Sequence, residues 1–146
     1  MLRLLLVVEP LPEQHPAVAS ALADVQVTEV YAAEAVSVGA LVAEGHGLVV
    51  RVEPRLADGG DAVTLVREFA GRLDLPDADV DGERMVFAFA PESVVRQVVM
   101  YALEAPIPPD RLRIEPGTLA EVEVRLDAPW TVNRLNDGCH LGDGRI

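Results

Sequence analysis

The sequence contains no lysine, and its aromatic residues make up only 4% of the chain. All 12 basic residues are arginines, and none of them lies between Leu4 and Val50. Because 24 residues are acidic, the formal net charge is −12. Such a chain lacks the basic surface that nucleic acids, anionic membranes and polyphosphates need, so we expect none of these as partners. The partner classes that remain are a protein, a small molecule or a second copy of the chain.

Cysteine and long apolar runs are also scarce. Cys139 is the single cysteine, which excludes an internal disulfide and fits a reducing compartment. No apolar run approaches the roughly 20 residues of a membrane helix. The N-terminal run stops at Val8 and holds only Arg3 as a basic residue, so no signal peptide is predicted. We therefore expect a cytoplasmic protein, and the abundance of alanine, valine and arginine without lysine indicates a GC-rich bacterial source.

Half of the residues are hydrophobic, which is enough for the core of a single domain over residues 1–146. The two most continuously apolar stretches, Leu2–Val8 and Arg84–Ala90, predict buried parallel strands that are adjacent and central. The pattern also predicts parallel strands near 27–32 and 48–52, and helices over 16–25, 34–44, 62–73 and 94–104. Strands interleaved with helices in this way indicate an α/β sheet.

The C-terminal third predicts antiparallel additions to that sheet, over 112–115, 119–126 and 130–135. In the middle segment Val122 and Val124 alternate with Glu121 and Glu123, a pattern typical of a half-exposed strand. The segment 74–83 is dense in carboxylates and predicts a surface turn. The spacing of its aspartates is similar to a calcium loop, but the later glutamate is missing, so we expect neither a metal nor a cofactor.

Three glutamates form the sharpest candidate site. Glu9, Glu34 and Glu92 each follow a predicted parallel strand, and the carboxyl ends of parallel strands meet at one crevice, where ligands bind. Carboxylates held together there can serve as acid and base. The alternative interpretation is three exposed glutamates, two of them favourably placed near helix N-termini.

The other chemically interesting side chains predict structural roles. His15 and His46 lie in turns and are expected to be solvated, and His140 beside Cys139 is expected to make a structural contact in the tail. Asn136 and Asp137 are expected to cap that turn. Four large side chains are expected in the core: Met85, Phe87, Phe89 and Trp130.

The order of these segments resembles the histidine phosphatase superfamily, which is also called phosphoglycerate mutase-like. The closing segment Leu112–Leu141 carries the likeness most strongly, with an ending over Leu135–Leu141 that is similar to that of the small-molecule phosphatases. Met85–Ala105 resembles the family's strand, catalytic turn and following helix, and Leu2–Val8 resembles the strand before its Arg-His-Gly motif. The resemblance implies a three-layer sandwich with a mostly parallel sheet and antiparallel C-terminal strands.

The resemblance also implies where catalytic groups should stand, and the chain departs from the family there. Val8, Glu9 and Pro10 occupy the place of Arg-His-Gly. The second catalytic histidine would fall at Ala90 or Pro91. The chain is thus expected to be a degenerate member that lacks both histidines.

Two further family positions bear on the site. The phosphate-binding arginine after the second strand would fall near Ser37. The acidic proton donor would follow Leu56, and Asp58 could match it, although two glycines after Asp58 lead straight into the third helix. The helical insert that caps the family's pocket is therefore predicted to be missing.

Three functions follow as hypotheses. The first is a non-catalytic relative, not a phosphatase, that binds a protein or small ligand. The alternative is a repurposed enzyme that uses the Glu9 region for acid–base chemistry on a neutral or cationic small molecule, as in specialised metabolism. The third, a retained phosphatase, conflicts with the missing nucleophile. A deep apolar cavity lined by Glu9 would favour the repurposed enzyme, and a filled or flat crevice would favour the non-catalytic relative.

Overall fold

A computed structural model describes residues 2–23, 29–34, 37–45, 47–71, 84–106, 108, 111–125 and 128–141. In chain order the elements are β1 (Leu2–Val8), α1 (His15–Ala23), β2 (Glu29–Ala32), α2 (Val38–Gly45), β3 (Val50–Val52), α3 (Ala62–Gly71), β4 (Arg84–Ala90), α4 (Glu92–Leu103), β5 (Leu119–Val124) and β6 (Thr131–Asp137). Short 3-10 turns lie at Pro12–Gln14, Pro54–Leu56 and Cys139–Leu141. The predicted helices and parallel strands are all present, with shifted ends.

The strands form one sheet in the order β3-β2-β4-β1-β5-β6. β1, β2, β3 and β4 are parallel, and β5 and β6 add antiparallel pairs at one side. The prediction that β1 and β4 are adjacent and central is confirmed, with Val8 paired to Ala90 at their carboxyl ends. Because both strands are covered on two faces, nearly every position in them must be apolar.

Two hydrophobic clusters lie on opposite faces of the sheet, which makes a three-layer α/β fold. Leu4, Leu6 and Val8 of β1 pack with residues of α3 and α4. Leu5 and Val7 pack with residues of α1 and α2. Phe87 and Phe89 are buried as predicted, whereas Met85 and Trp130 are only partly buried against the two clusters.

Two predictions about the C-terminal third are wrong. Leu112–Glu115 is not a strand: the Leu112 carbonyl accepts a hydrogen bond from the Arg96 side chain, and the Glu115 amide donates to Asn136 Oδ1. Side chains thus take up backbone groups that a sheet ladder would need. Glu121 is not half-exposed but 4% exposed, because Arg3 and Arg134 pair with its carboxylate.

The connection from β3 to α3 contains one 3-10 turn and no inserted helix. This agrees with the prediction that the helical insert over the pocket is missing. His15 begins α1 and is exposed. The predicted surface turn over 74–83 and His46 lie outside the described residues. Within the part of the chain that the structure describes, no helix is long and apolar enough to cross a membrane.

Candidate functional site

A crevice opens at the carboxyl ends of β1 and β4, the position where ligands bind in open α/β sheets. It encloses about 290 Å³. Its lining combines acidic, small and apolar residues from the end of β4 and from the loops that follow the four parallel strands: Glu9, Ala33, Glu34, Ser37, Ala57, Asp58, Phe89, Ala90 and Pro91. The crevice is neither filled nor flat, so a small molecule has room in it.

Glu9 lines this crevice and directly follows β1. Its backbone amide donates to the Ala90 carbonyl at 2.9 Å, which extends the β1–β4 ladder by one residue. Its side-chain Oε1 accepts a hydrogen bond of 3.1 Å from the amide of Gly39, in the first turn of α2. The negative charge of Glu9 therefore lies at the positive end of a helix dipole.

Gly39 is what allows that contact. A Cβ at this position would overlap the ring of Phe89, which itself lines the crevice. Only glycine lets α2 approach the sheet closely enough for its first amides to reach Glu9. The same turn is capped by Ser37, whose Oγ accepts from the Ala40 amide at 3.0 Å.

Glu34 also lines the crevice and is exposed. Within the described residues its carboxylate makes no hydrogen bond or ion pair. Of the three predicted glutamates, Glu9 and Glu34 therefore meet at one crevice, and Glu34 is the one whose charge no other described group offsets.

The third predicted glutamate is misplaced. Glu92 is not among the lining residues, because its carboxylate pairs with Arg96 one turn further along α4. Arg96 is 8% exposed, and it also donates to the Leu112 carbonyl at 2.8 Å. This contact turns Glu92 towards its own helix.

Asp58 supplies the third carboxylate instead. It follows the 3-10 turn after β3 and lines the crevice, and its Oδ1 accepts a hydrogen bond of 2.5 Å from Ser93 Oγ in the first turn of α4. The rule that ligand sites lie beyond the carboxyl ends of strands also covers β3. Together with the resemblance, which places the family's acidic group after Leu56, this rule points to Asp58.

None of the described lining residues is a histidine or an arginine. The nearest arginine in sequence to Asp58 is Arg55, whose guanidinium pairs with Glu53 and Glu68. These carboxylates raise the pKa of Arg55 above its usual value, with Glu68 the larger cause. The crevice therefore has three carboxylates and no cation contributed by its described walls.

His140 and Cys139 both contact neighbouring backbone or side-chain groups of the tail. His140 Nε2 lies 2.6 Å from the Gly117 carbonyl oxygen, and the Cys139 amide donates to Asp137 Oδ1 at 3.0 Å. That backbone hydrogen bond lowers the pKa of Asp137. Among the residues described, no group of three histidine, cysteine or acidic side chains is arranged to hold a metal ion.

Comparison with solved structures identifies the fold. The chain is similar to a protein called mycobacterial hydrolase 1, with a TM-score of 0.71, 15% identity, and coverage of 92% of this chain and 98% of that one. It is also similar to the protein histidine phosphatase SixA complexed with tungstate, with a TM-score of 0.65, 18% identity, and coverage of 95% and 99%. A third similar structure is a mycobacterial glucosyl-3-phosphoglycerate phosphatase with inorganic phosphate, with a TM-score of 0.70, 14% identity, and coverage of 94% and 98%.

The chain has the histidine phosphatase fold. No protein-family model matches the sequence, and no curated protein matches it. At identities of 14–18%, the likeness extends to the backbone and its topology. The resemblance drawn from the sequence motifs is thus confirmed at the level of the histidine phosphatase fold.

Glu9, Ser37, Ala90 and Pro91 all line the crevice. They are the residues that stand where the sequence resemblance implies two histidines and an arginine, the second histidine falling at Ala90 or Pro91. The structure therefore brings these four residues to one cavity.

Proposed function

We propose that this protein is not a phosphatase, and that its crevice binds a small cationic or neutral ligand. The observation that carries the proposal is the composition of the crevice wall: Glu9, Glu34 and Asp58 contribute carboxylates, and no described lining residue contributes a cation. Phosphoryl transfer through histidine needs a nucleophilic imidazole and donors around the charged oxygens. Removing one such donor typically costs about 3 kcal/mol of barrier, and here the nucleophile and the donors are replaced together.

The three carboxylates differ in how they are held. Glu9 is bound by the Gly39 amide and Asp58 by Ser93 Oγ, so both are fixed in position. Glu34 is exposed and can turn towards a ligand. An ammonium group would bind Glu34 at the rim, and the apolar part of the ligand would lie against Phe89 and Ala90.

A thermal-shift titration with a panel of small amines and neutral polar molecules, the amines matched in ionic strength by sodium chloride, tests this proposal. A ligand that binds only the native state raises the unfolding temperature in a saturable way. We expect at least one amine to do so, with the shift reduced in Glu34→Gln and retained in Glu44→Gln, an exposed glutamate of α2 that is not in the crevice wall. The proposal fails if no amine or neutral ligand gives a saturable shift, or if both variants lose it equally.

The alternative is acid–base catalysis on the bound molecule. The open cavity lined by Glu9 favours this alternative over a purely protein-binding relative, whose crevice would be filled or flat. Glu9 is the candidate base because it is only partly exposed and is held in position by the Gly39 amide; Glu34 and Asp58 are candidate acids. Glu92 is withdrawn from this role because Arg96 holds it outside the crevice.

Solvent hydrogen exchange distinguishes catalysis from binding. The amine that stabilises the protein most is incubated in D₂O with the wild type, and its C–H positions are followed by NMR. Deuterium incorporation that Glu9→Gln abolishes, while ligand binding persists, supports the enzyme. Binding without incorporation supports a ligand-binding protein. The cytoplasmic location remains a prediction in either case.

A further inference from the structure

A second pocket lies at the other end of α4 from the crevice. It encloses about 390 Å³, and we call it the aromatic pocket. Its described wall has two aromatic residues, one carboxylate and three small or apolar residues: Tyr101, Ala102, Glu104, Ala128, Pro129 and Trp130. Because α4 has 12 residues and a helix rises by about 1.5 Å per residue, its two ends are roughly 18 Å apart. The crevice and the aromatic pocket are therefore separate sites.

Two aromatic rings meet at the aromatic pocket. Tyr101 is 40% exposed, and Trp130 is only partly buried. Their ring centroids are 4.6 Å apart, and the ring planes are tilted by 57°, so the rings meet at an angle rather than as a parallel stack. The faces of such rings carry negative π-electron density and attract cations.

The rest of the aromatic pocket also favours positive charge. Glu104 contributes the single carboxylate of the described wall; it is exposed, and among the described residues its carboxylate makes no hydrogen bond or ion pair. Because Glu104 directly follows α4, the pocket lies at the negative end of that helix dipole. The last turn of α4 has no basic residue to offset this charge.

The backbone of Glu104 is unusual for a residue with a side chain. Its φ is 55°, and its amide donates to the carbonyls of Met100 and Tyr101 as the cap of α4. Helices that end in this left-handed conformation usually have glycine there, since a Cβ is strained at positive φ. The chain thus has a charged side chain beside the aromatic rings, at a position where glycine would be the relaxed residue.

One cation of the protein already contacts the aromatic pair. The guanidinium carbon of Arg67 lies 5.6 Å from the centroid of the Tyr101 ring. Arg67 belongs to α3 and is not among the lining residues. Trp130 binds cations more strongly than tyrosine does, and no described cation lies over its ring. A ligand cation is therefore expected against Trp130, with Glu104 as its counter-charge.

We propose that the aromatic pocket binds a free small molecule that carries a quaternary ammonium group. A primary ammonium has three N–H donors that each need an acceptor, whereas the side chains of the described wall offer a single carboxylate. A trimethylammonium group has no N–H, and its methyl groups can contact the rings and Pro129 while its charge is balanced by Glu104. The volume lies within the range of about 300–1,000 Å³ that is usual for small-molecule sites. This site is additional to the proposed function of the crevice.

Fluorescence of Trp130 tests the proposal, because Trp130 is the only tryptophan of the chain and lines this pocket rather than the crevice. Choline is titrated in parallel with 3,3-dimethylbutanol, its uncharged analogue with carbon in place of nitrogen, at an ionic strength matched by sodium chloride. We expect a saturable change with choline and about tenfold weaker binding of the neutral analogue. Equal binding of both compounds, or no saturable change with choline up to about 100 mM, would overturn the proposal.

Two substitutions of Glu104 make the test independent of folding. Glu104→Gln removes the charge and should weaken choline binding about fivefold. Glu104→Gly should weaken it similarly but raise the unfolding temperature, since glycine is relaxed at this φ. Glu44→Gln changes an exposed glutamate of α2 outside the pocket and should bind choline as the wild type does. An affinity that is the same in the Glu104 variants as in Glu44→Gln would contradict the role of Glu104.

The same cation occurs in lipid headgroups, so sedimentation with phosphatidylcholine vesicles distinguishes a free ligand from a membrane surface. We expect the protein to remain in the supernatant at vesicle concentrations that offer as much headgroup as the choline titration. Co-sedimentation that choline reverses would show that the pocket binds a lipid headgroup and would overturn the assignment to a free molecule.

Discussion

Glu9 directly follows β1, a strand whose residues are almost all buried, and among the described residues a backbone amide rather than a basic side chain binds its carboxylate. The Gly39 amide donates to it at 3.1 Å, in the first turn of α2. Backbone amides at a helix N-terminus carry partial positive charge, worth roughly 0.3–1 kcal/mol to a nearby anion. This explains how a carboxylate is tolerated at a position where the sequence resemblance implies a histidine.

Replacing Gly39 by alanine should disturb that arrangement. The new Cβ would overlap the Phe89 ring, so we expect Gly39→Ala to lower the unfolding free energy by about 1–3 kcal/mol, as overpacking does. Gly45, at the other end of α2, has open space around it, so Gly45→Ala is the matched control and should be neutral or slightly stabilising. Chemical denaturation measures both. Equal stability of the two variants would show that the close packing of α2 against Phe89 does not require glycine at position 39.

Glu121 is the second residue whose surroundings decide its charge. Its carboxylate accepts hydrogen bonds from Asn133, Arg3 and Arg134. Burial alone would raise the pKa of Glu121, but these hydrogen bonds outweigh burial and hold the pKa below its usual 4.5. The ionised form is therefore favoured by folding, and its contribution to stability is lost as the pH falls through the lowered pKa.

Glu121→Gln keeps the size of the side chain and removes its charge. At neutral pH we expect a loss of about 1–3 kcal/mol in unfolding free energy, because charged hydrogen bonds are broken. The difference from wild type should shrink as the pH falls from about 6 to about 3, since the wild-type carboxyl also becomes neutral. Urea denaturation over this pH series measures it. A gap that is constant with pH would contradict the role of the charge.

At the scale of elements, Arg96 connects α4 to the segment after it. Its buried guanidinium donates to the Leu112 carbonyl and pairs with Glu92, and Asn136 of β6 accepts from the Glu115 amide. The segment Leu112–Glu115 is thus held between α4 and β6 by side chains. This tether also removes Glu92 from the crevice.

Arg96→Met tests the tether. Methionine preserves the aliphatic length but leaves the Leu112 carbonyl without this donor. We expect a loss of about 1–3 kcal/mol in stability and faster amide hydrogen exchange in 112–115 than in β1. Arg113→Met, an exposed change in the same segment, should leave exchange near wild type. Unchanged exchange in Arg96→Met would show that other contacts hold the segment.

These elements also show what the sequence could predict. The largely apolar sequences of β1 and β4 predicted their burial, their adjacency and the place of Glu9, because a strand covered on both faces has a distinctive composition. The sequence pattern of Leu112–Glu115 predicted a strand because a local pattern does not show that the distant side chains of Arg96 and Asn136 bind its backbone groups. Glu92 was misplaced for the same reason: a strand-end position says nothing about a salt bridge with the next helical turn.

For the whole molecule, the negative charge is the opposite of what phosphate binding in this fold would require. The histidine phosphatase fold places a crevice at the carboxyl ends of β1 and β4, and this chain fills its wall with Glu9, Glu34 and Asp58 within a net charge of −12. Carboxylates repel a phosphate, and the field of the whole protein adds to that repulsion. The molecule has the histidine phosphatase fold, but its crevice wall is acidic, whereas a site that binds phosphate is expected to be basic.

We therefore expect no hydrolysis of aryl phosphates and no phosphohistidine. His140 contacts the Gly117 carbonyl, and His15 is exposed at the start of α1, so neither lines the crevice. A colorimetric aryl phosphate assay, with ³¹P NMR for a phosphohistidine, measures this. Turnover that His140→Ala or His15→Ala abolishes would show that a histidine nucleophile operates.

Phosphate binding by the wild-type protein is the most direct test of the acidic crevice. Thermal unfolding is followed with increasing sodium phosphate and, at equal ionic strength, sodium chloride. A ligand at about 100 times its dissociation constant stabilises the native state by roughly 2.7 kcal/mol, an effect that melting readily detects. We predict that the phosphate and chloride curves coincide. Saturable stabilisation by phosphate alone would mean that the protein retains an anion site, which contradicts the account.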